Sequence, residues 1–467
     1  MNADPRGLYL GLLVAYLALQ VGIGVWLGRR VKTAGAFFVA GRQLGPGLLF
    51  ATLVAANIGA GSTLGAAGEG YRLGIGAWWW VGSAGLGSIV LALVVGPRLR
   101  RIAADQGLRT AGDYLEYRYG AGVRTAVTAL LWIGTLAVLA SQLISCGIIL
   151  QSVTGLPLAA GVLLGGAVAT AYFAAGGLMT AVWINLLQIV FELGVMATLV
   201  PLAISRAGGW EGLVSAPAPP GYWDAWAGWR HLAVLGPAFV VSPGLIQKVY
   251  AARDDRAVTL GVGANAALLV VFALVPVLLG IAARALHPAL EHPQLALPTL
   301  ILSDLPPVIG ALALAVLFTT GVNTADAVLF MLSTSLAQDL YRAHVNPAAD
   351  DAQVLRVARI SALAGGVLGV AVALVASSIV ATLTIFYTLV GVSLFVPVVG
   401  GLFVPRAGRA EAVASISAGV GVTLVLHLAT AGQGVGAVTP ALAGIAASAL
   451  AFGATLVSRQ RETQRAF

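Results

Sequence analysis

Charge is scarce in this sequence. Asp, Glu, Lys and Arg make up 9% of the 467 residues, whereas apolar residues make up 59%. Soluble globular domains carry about 25% charged residues, so the composition excludes a soluble protein and predicts a chain that crosses a membrane many times. Cysteine is almost absent as well: the single Cys146 rules out a disulfide within the chain and a thiolate metal cluster.

Nucleotide-binding and catalytic motifs are also missing. The phosphate-binding pattern G-x-x-x-x-G-K-[ST] does not occur, and no segment between the apolar runs has room for a nucleotide-binding domain. We therefore expect neither an enzyme nor a nucleotide-driven pump, and an ion gradient would have to drive any transport. The net charge of +8 does not indicate a nucleic-acid partner, because the basic residues flank apolar runs instead of forming one cluster. The expected partner is the lipid bilayer.

Apolar runs of about 20 residues, the length that crosses a bilayer, recur along the whole chain. We predict about thirteen such spans, which makes the fold class an all-α polytopic membrane protein. The spans lie near residues 8–28, 45–68, 75–96, 122–153, 157–177, 179–204, 231–249, 257–281, 308–337, 355–376, 379–403, 410–429 and 438–458.

Basic residues set the expected orientation, since Lys and Arg collect in the cytoplasmic segments of membrane proteins. With the N-terminus outside, five basic residues fall on the outer side, leaving 21 of the 26, Lys248 among them, in cytoplasmic segments. Those five are Arg6, Arg72, Arg206, Arg230 and Arg284. We predict an inner-membrane protein with the N-terminus outside and the C-terminus in the cytoplasm.

Two of the predicted spans are interrupted. The span near residues 45–68 is one of them: its stretch Ala51 to Gly70 carries the small and polar run Asn57 to Thr63 near the middle. Backbone released from a helix at membrane depth is tolerated only where it is buried in protein or lines a wet cavity. The seventh span is interrupted at Ser242, Pro243 and Gly244.

Each interrupted span opens a group of five spans. Paired breaks at matching places indicate a 5+5 inverted-repeat core with a binding site near the midplane. The single transmembrane domain is therefore expected to comprise a peripheral first helix (1–40), a first repeat (45–204), a second repeat (231–403), and two peripheral helices with a tail (404–467).

Only two acidic residues lie deep in predicted spans. Glu192 continues a polar stripe with Asn185 and Gln188, and Asp326 follows Asn323 by three positions on the ninth span. A carboxylate inside a membrane is costly, so each is a candidate for cation or proton binding. Hydrogen bonding between helices is the alternative for both.

Several stretches resemble the sodium:solute symporter family, and the resemblance covers nearly the whole chain. They are FFVAGRQLGPG (37–47), AANIGA in the second span, GGLMTAVWINLLQ (176–188), IQKVYAARD (246–254) and TADAVLFMLSTSLAQDLYR (324–342). The last is the most specific, because its polar positions and its terminal D-[IL]-Y-R occur together. The resemblance implies the inverted-repeat fold shared with the leucine transporter.

The resemblance also implies a sodium site. Its ligands would be the backbone carbonyls of Ala55, Ile58 and Thr320 together with the side chains of Asn323 and Thr324. Carbonyls freed at a helix break suit a dehydrated Na⁺.

Three positions depart from the family pattern. Asn323 replaces a hydroxyl but still offers an amide oxygen, Asn185 replaces the usual aspartate, and Asp326 stands where some members have a hydroxyl. Together with Glu192, Asn185 and Asp326 could form a second cation or proton site.

The solute is only partly constrained by the sequence. The sugar-transporting branch has a Glu-Gln pair where this chain has Gly61 and Ser62, which argues against hexoses. A small amino acid, a carboxylate or an ammonium solute remains, the last because of a weak similarity to the choline-transporting branch. We expect the solute cavity to be lined by Asn57, Gly61, Ser62, Thr63, Gln142 and Ser242.

These observations favour a sodium-coupled symporter of a small organic solute that works by alternating access. Proton-coupled or sodium-independent transport is the alternative within the same class. A membrane sensor or structural subunit that does not transport is the alternative from another class. The end of the chain at Phe467, soon after the last span, counts against an appended signalling domain. The sequence predicts no oligomeric state.

Overall fold

The computed structural model describes residues 6–28, 42–175, 178–376 and 378–465. Within these ranges the secondary structure is helical and no β-strand forms. The α-helices are Arg6–Gly28, Pro46–Asn57, Ala66–Leu73, Trp78–Val90, Gly96–Gln106, Ala111–Tyr119, Ala121–Thr154, Leu158–Ala175, Leu178–Arg206, Gly209–Ser215, His231–Val241, Pro243–Ala251, Asp255–Phe272, Leu274–Leu286, Ala296–Asp304, Pro307–Thr334, Asp351–Val375, Ile379–Val390, Val396–Phe403, Arg409–Ala429 and Pro440–Arg465.

Helices long and apolar enough to cross a membrane number 9 among the described residues, or 10 if the bent pair Val190–Arg206 and Gly209–Ser215 is one span. Three further apolar helices are shorter: Gly7–Leu19, Pro46–Asn57 and Leu158–Thr170. The chain is thus an all-α polytopic protein, as predicted, and the count of thirteen spans stays a prediction.

The first predicted break is present. The helix Pro46–Asn57 ends at Ile58, whose backbone is extended (φ −93°, ψ 102°), and the chain resumes as a π-helical turn, Gly61–Gly65, that leads into Ala66–Leu73. The small residues of this stretch have weak helix propensity, which lets the backbone leave the helix. We call Pro46–Leu73 the first broken helix.

The second predicted break is present at Ser242. This residue has an extended ψ of 127° between the helices His231–Val241 and Pro243–Ala251. The ring of Pro243 disfavours helical backbone at the preceding residue, which accounts for the position of the break. We call His231–Ala251 the second broken helix.

The two broken helices are joined at one end by backbone hydrogen bonds. Leu44 N–H donates to the Ala251 carbonyl at 3.0 Å, and Arg253 N–H donates to the Leu44 carbonyl at 3.0 Å. The start of the first broken helix is therefore fixed to the end of the second.

Three long helices contact the first broken helix, and each takes the name of one of its polar residues. They are the Gln142 helix (Ala121–Thr154), the Glu192 helix (Leu178–Arg206) and the Asn323 helix (Pro307–Thr334), which packs against both of the others. The most apolar stretch of the Gln142 helix is 89% buried, whereas those of the last two helices are 28% and 22% buried. The breaks thus lie next to the most buried helices, and the last two helices lie at the edge.

Candidate ion and solute site

Side-chain hydroxyls support the backbone of the first break. Ser62 Oγ accepts from Gly59 N–H at 2.8 Å, and Ser62 O–H lies 3.0 Å from the Asn57 carbonyl. Thr63 O–H donates to the Gly59 carbonyl at 2.8 Å. Thr63 therefore points back to the backbone, and it is not among the residues that line the cavity described below, contrary to the sequence-based expectation.

Two neighbouring helices hold the break from outside. Gln142 Oε1 accepts from Ala60 N–H at 2.9 Å, and Trp80 Nε1–H donates to the Gly61 carbonyl at 2.9 Å. Glycine at position 59 makes this close approach possible, because a Cβ there would lie 2.6 Å from Thr324 Oγ1 and 2.9 Å from Gln142 Oε1.

The Asn323 helix presents oxygen atoms to the first break. Thr324 Oγ1 lies 3.3 Å from the Ala55 carbonyl oxygen and 3.4 Å from the Ile58 carbonyl oxygen. Asn323 is 5% exposed, and neither its Oδ1 nor its Nδ2 has a hydrogen-bond partner in the described part of the chain. An unpaired amide inside a membrane protein is costly, so a ligand for its oxygen is expected here.

Glu192 reaches the same helix one turn away from Asn323. Thr320 O–H donates to Glu192 Oε1 at 2.9 Å, and Gln188 Nε2–H donates to Thr320 Oγ1 at 3.1 Å. Both Glu192 and Thr320 are buried. Asn185 belongs to the Glu192 helix, but its side chain lies outside the described residues. Parts of the segments 37–47 and 176–188, which carry the family resemblance, also lie outside them.

Asp326 has a different neighbour. Its charge acts on Lys248 of the second broken helix, although no ion pair joins the two within the described residues. The two buried carboxylates thus have separate partners, and among the described residues no cluster of three or more His, Cys, Asp or Glu forms. Of the three residues expected to form a second site, Glu192 and Asp326 have different neighbours, and the side chain of Asn185 lies outside the described residues.

A cavity adjoins the first break, and residues of both broken helices and of the Asn323 helix line it. Five of the six residues expected from the sequence line it, Thr63 being the exception. Those five are Asn57, Gly61, Ser62, Gln142 and Ser242, and aromatic rings contribute through Trp80, Phe239, Phe386 and Tyr387.

Lys248 also lines this cavity, which the sequence analysis missed. The sequence analysis counts Lys248 with the basic residues of the cytoplasmic segments, because Arg253 and Arg256 follow it closely. The stretch LIQKVYA around Lys248 indicates instead that the residue belongs to the broken helix itself, which continues through it from Pro243 to Ala251.

Broken helices whose freed carbonyls face a polar helix, beside a cavity that several helices line, form the arrangement of a secondary membrane transporter. The comparison with known families then identifies the transporter family. The model of the sodium:solute symporter family matches residues 37–219 and 223–419, and the chain belongs to this family.

Known relatives agree with this assignment. The chain is 26% identical to the sodium/glucose cotransporter of Vibrio parahaemolyticus over 403 residues, which are 74% of this chain and 71% of that protein. It is 28% identical to the sodium/pantothenate symporter of Escherichia coli (strain K12) over 390 residues, 76% of this chain and 77% of that one.

The solved structure of a Na⁺-coupled sialic acid symporter, in a substrate-bound outward-open state, shares the fold. Its TM-score is 0.80 at 17% sequence identity, and the match covers 96% of this chain and 97% of that one. The leucine-transporter-like architecture expected from the resemblance is confirmed. The chain is a multi-pass membrane protein that couples Na⁺ to the symport of a small solute, and its family consists of transporters and not of enzymes.

Proposed function

We propose that Na⁺ binds between the first broken helix and the Asn323 helix. Its ligands are the carbonyl oxygens of Ala55, Ile58 and Thr320, the Asn323 amide oxygen and the Thr324 hydroxyl. The observation that carries this proposal is the approach of Thr324 Oγ1 to both break carbonyls, beside an Asn323 amide without a partner in the described chain. Thr320 lies inside a regular helix, and its carbonyl has a second lone pair to offer.

The solute occupies the cavity next to this ion. The cavity lining includes Asn57 and Ser62 of the first break and Gln142, which accepts a hydrogen bond from it. Because the same break supplies the carbonyl ligands, ion binding orders the part of the cavity that the solute contacts. Alternating access follows if the repeats 45–204 and 231–403 rock against each other, while the first helix and the segment 404–467 stay peripheral. We place the protein in an inner membrane, with the N-terminus outside and the C-terminus in the cytoplasm, on the distribution of basic residues.

Glu192 is the candidate for a second coupling ion, either a proton or a second cation. Its buried carboxylate accepts from the hydroxyl of Thr320, the residue whose carbonyl belongs to the proposed sodium site. Ion binding at one position would therefore change the ion affinity of the other through Thr320. Asp326 takes no part in this second site in our proposal, because its charged neighbour is Lys248.

Uptake into proteoliposomes tests the proposed coupling. A labelled panel of amino acids, carboxylates and ammonium compounds is offered with a sodium gradient and a pH gradient imposed separately. Uptake of a panel member driven by the sodium gradient alone is the expected result. Uptake that ignores sodium and follows acid outside would instead assign the coupling to protons.

A further inference from the structure

Lys248 is the one charged side chain in the lining of the central cavity, among the residues that the structure describes there. The remaining lining is apolar, aromatic, amide or hydroxyl in character. Lys248 is half-buried and makes neither a hydrogen bond nor an ion pair within the described residues, and its neighbours Gln247 and Val249 are buried. Charges that are shielded from water are normally paired in proteins, so this ammonium group lacks a direct partner.

Arg124, a buried cation, has such partners. Its guanidinium pairs with the carboxylates of Asp113 and Glu116 and donates to the Gln338 carbonyl at 3.1 Å. Lys248 has only the longer-range influence of Asp326, which does not line the cavity. Its counter-charge is therefore expected to come from a molecule that enters the cavity.

We propose that Lys248 binds a carboxylate of the transported solute, and that this solute is a small organic anion. This proposal rests on the proposed function, because it takes the cavity to be the solute site. The anion lies between Lys248 and the Na⁺ held beside Thr324, which also lines the cavity. Two positive charges in a partly desolvated space offset the cost of removing a carboxylate from water.

The rival solute class is a quaternary ammonium compound. The aromatic rings of Trp80, Phe239, Phe386 and Tyr387 line the cavity and could attract such a cation. However, Lys248 and the proposed Na⁺ would both repel it, which opposes the cation–π attraction of the rings. The rings are better matched to the apolar part of an organic anion, whose polar groups face Asn57, Ser62 and Ser242.

Asp326 is the acidic neighbour of Lys248, and in this proposal it competes with the solute for the ammonium group. Removal of its charge by Asp326→Asn should strengthen carboxylate binding, whereas Lys248→Gln should abolish the preference for carboxylates. A purely structural charge pair would predict a loss of folding in both variants and no change in ligand preference.

The sequence makes a direct test feasible, because Lys248 and Lys32 are the only two lysines. In a Lys32→Arg background, the rate at which a small amine-reactive acetylating reagent modifies Lys248 is followed by mass spectrometry. Acetate and acetamide, a carboxylate and its uncharged counterpart, are added at equal high concentration with sodium present. The probe is acetate itself, so the test does not require the natural solute to be known.

Protection of Lys248 by acetate, with little protection by acetamide, is the expected result. In the Asp326→Asn variant less acetate should give the same protection. Equal effects of the two compounds, or no protection by either, would overturn the proposal.

A thermal-shift panel supplies a second readout that does not depend on labelling. Nicotinate and nicotinamide form one matched pair, and choline represents the rival class. Wild-type protein should be stabilised by one or more carboxylates, with apparent affinity at least about tenfold weaker in Lys248→Gln and partly retained in Lys248→Arg. Stabilisation by choline or by uncharged compounds alone would contradict the proposal.

Sodium dependence separates the two proposals. If sodium stabilises both wild type and Lys248→Gln while carboxylates stabilise neither, the sodium site stands and the anion proposal fails. If carboxylates protect Lys248 but sodium has no effect on any variant, the anion proposal stands and sodium coupling at Thr324 fails.

Discussion

Thr324 Oγ1 lies 3.3 Å from the carbonyl oxygen of Ala55, although the two residues are 269 positions apart in the chain. The carbonyl is free to meet a side chain because the helix Pro46–Asn57, the first half of the first broken helix, ends two residues later. The hydroxyl reaches it because Gly59 has no Cβ to intervene. This contact brings together the two helices that carry the proposed sodium ligands, and we expect transport to depend on it.

Removal of the Thr324 hydroxyl should weaken sodium activation. Thr324→Ala deletes one proposed ligand, and we expect the half-saturating sodium concentration for uptake to rise about tenfold, which corresponds to about 1.4 kcal/mol. Thr324→Ser keeps the hydroxyl and should remain near wild type. Thr198→Ala is the control, because this exposed threonine bonds only to the Gly194 carbonyl of its own helix. Equal sodium dependence in all four proteins would remove Thr324 from the site.

A side chain at Gly59 should block the site sterically. In Gly59→Ala the added Cβ would meet Thr324 Oγ1 at 2.6 Å, and overpacking of this kind costs about 1–3 kcal/mol. We expect sodium-dependent uptake to be largely lost while the protein remains folded. Gly47→Ala, on the same broken helix, has no atom within 4 Å of the added Cβ and serves as the matched control. Normal sodium activation in Gly59→Ala would show that the close approach is dispensable.

Gln142 should stabilise the break itself. In Gln142→Leu the buried Ala60 N–H loses its acceptor, at a cost of about 1–3 kcal/mol. A lower thermal unfolding temperature in detergent is expected, together with weaker solute binding. Gln151→Leu, on an exposed face of the same helix, should change neither quantity. If both variants lose stability equally, the hydrogen bond to Ala60 is not the cause.

Glu192 can be tested without disturbing its hydrogen bond. The amide oxygen of Glu192→Gln can still accept from Thr320, so the variant removes the charge and the titratable group alone. If this carboxylate carries a proton, the dependence of uptake on external pH disappears, and the half-saturating sodium concentration shifts as well because Thr320 links the two positions. If it holds a second cation, the cooperativity of sodium activation falls instead. An unchanged pH profile together with unchanged cooperativity would exclude both roles. The control is Glu69→Gln, which removes a carboxylate that pairs with the exposed Arg72.

The two breaks could be predicted because their signals are local. Small and polar residues at Asn57 to Thr63 weaken the helix, and Pro243 acts on the residue before it, so both features can be recognised without knowledge of the fold. The prediction of many apolar spans depends on the same kind of local signal, since about 20 apolar residues are needed for one crossing.

The details of the cavity depend on side-chain directions that the sequence does not record. Thr63 and Ser62 are adjacent hydroxyl residues, yet only Ser62 lines the cavity, because the Thr63 hydroxyl bonds to the Gly59 carbonyl. Sequence reasoning groups Lys248 with the nearby Arg253 at the flank of a span and does not indicate that its side chain lines the cavity. The partners of Glu192 and Asp326 likewise follow from packing between helices that are far apart in sequence.

Equilibrium binding of radioactive sodium to the purified protein tests the central claim most directly. The account predicts saturable binding to the wild type, and clearly weaker binding to Asn323→Ala and Thr324→Ala, with Thr198→Ala unchanged. Binding of equal strength in Asn323→Ala, Thr324→Ala and the wild type would contradict a sodium site between the first broken helix and the Asn323 helix.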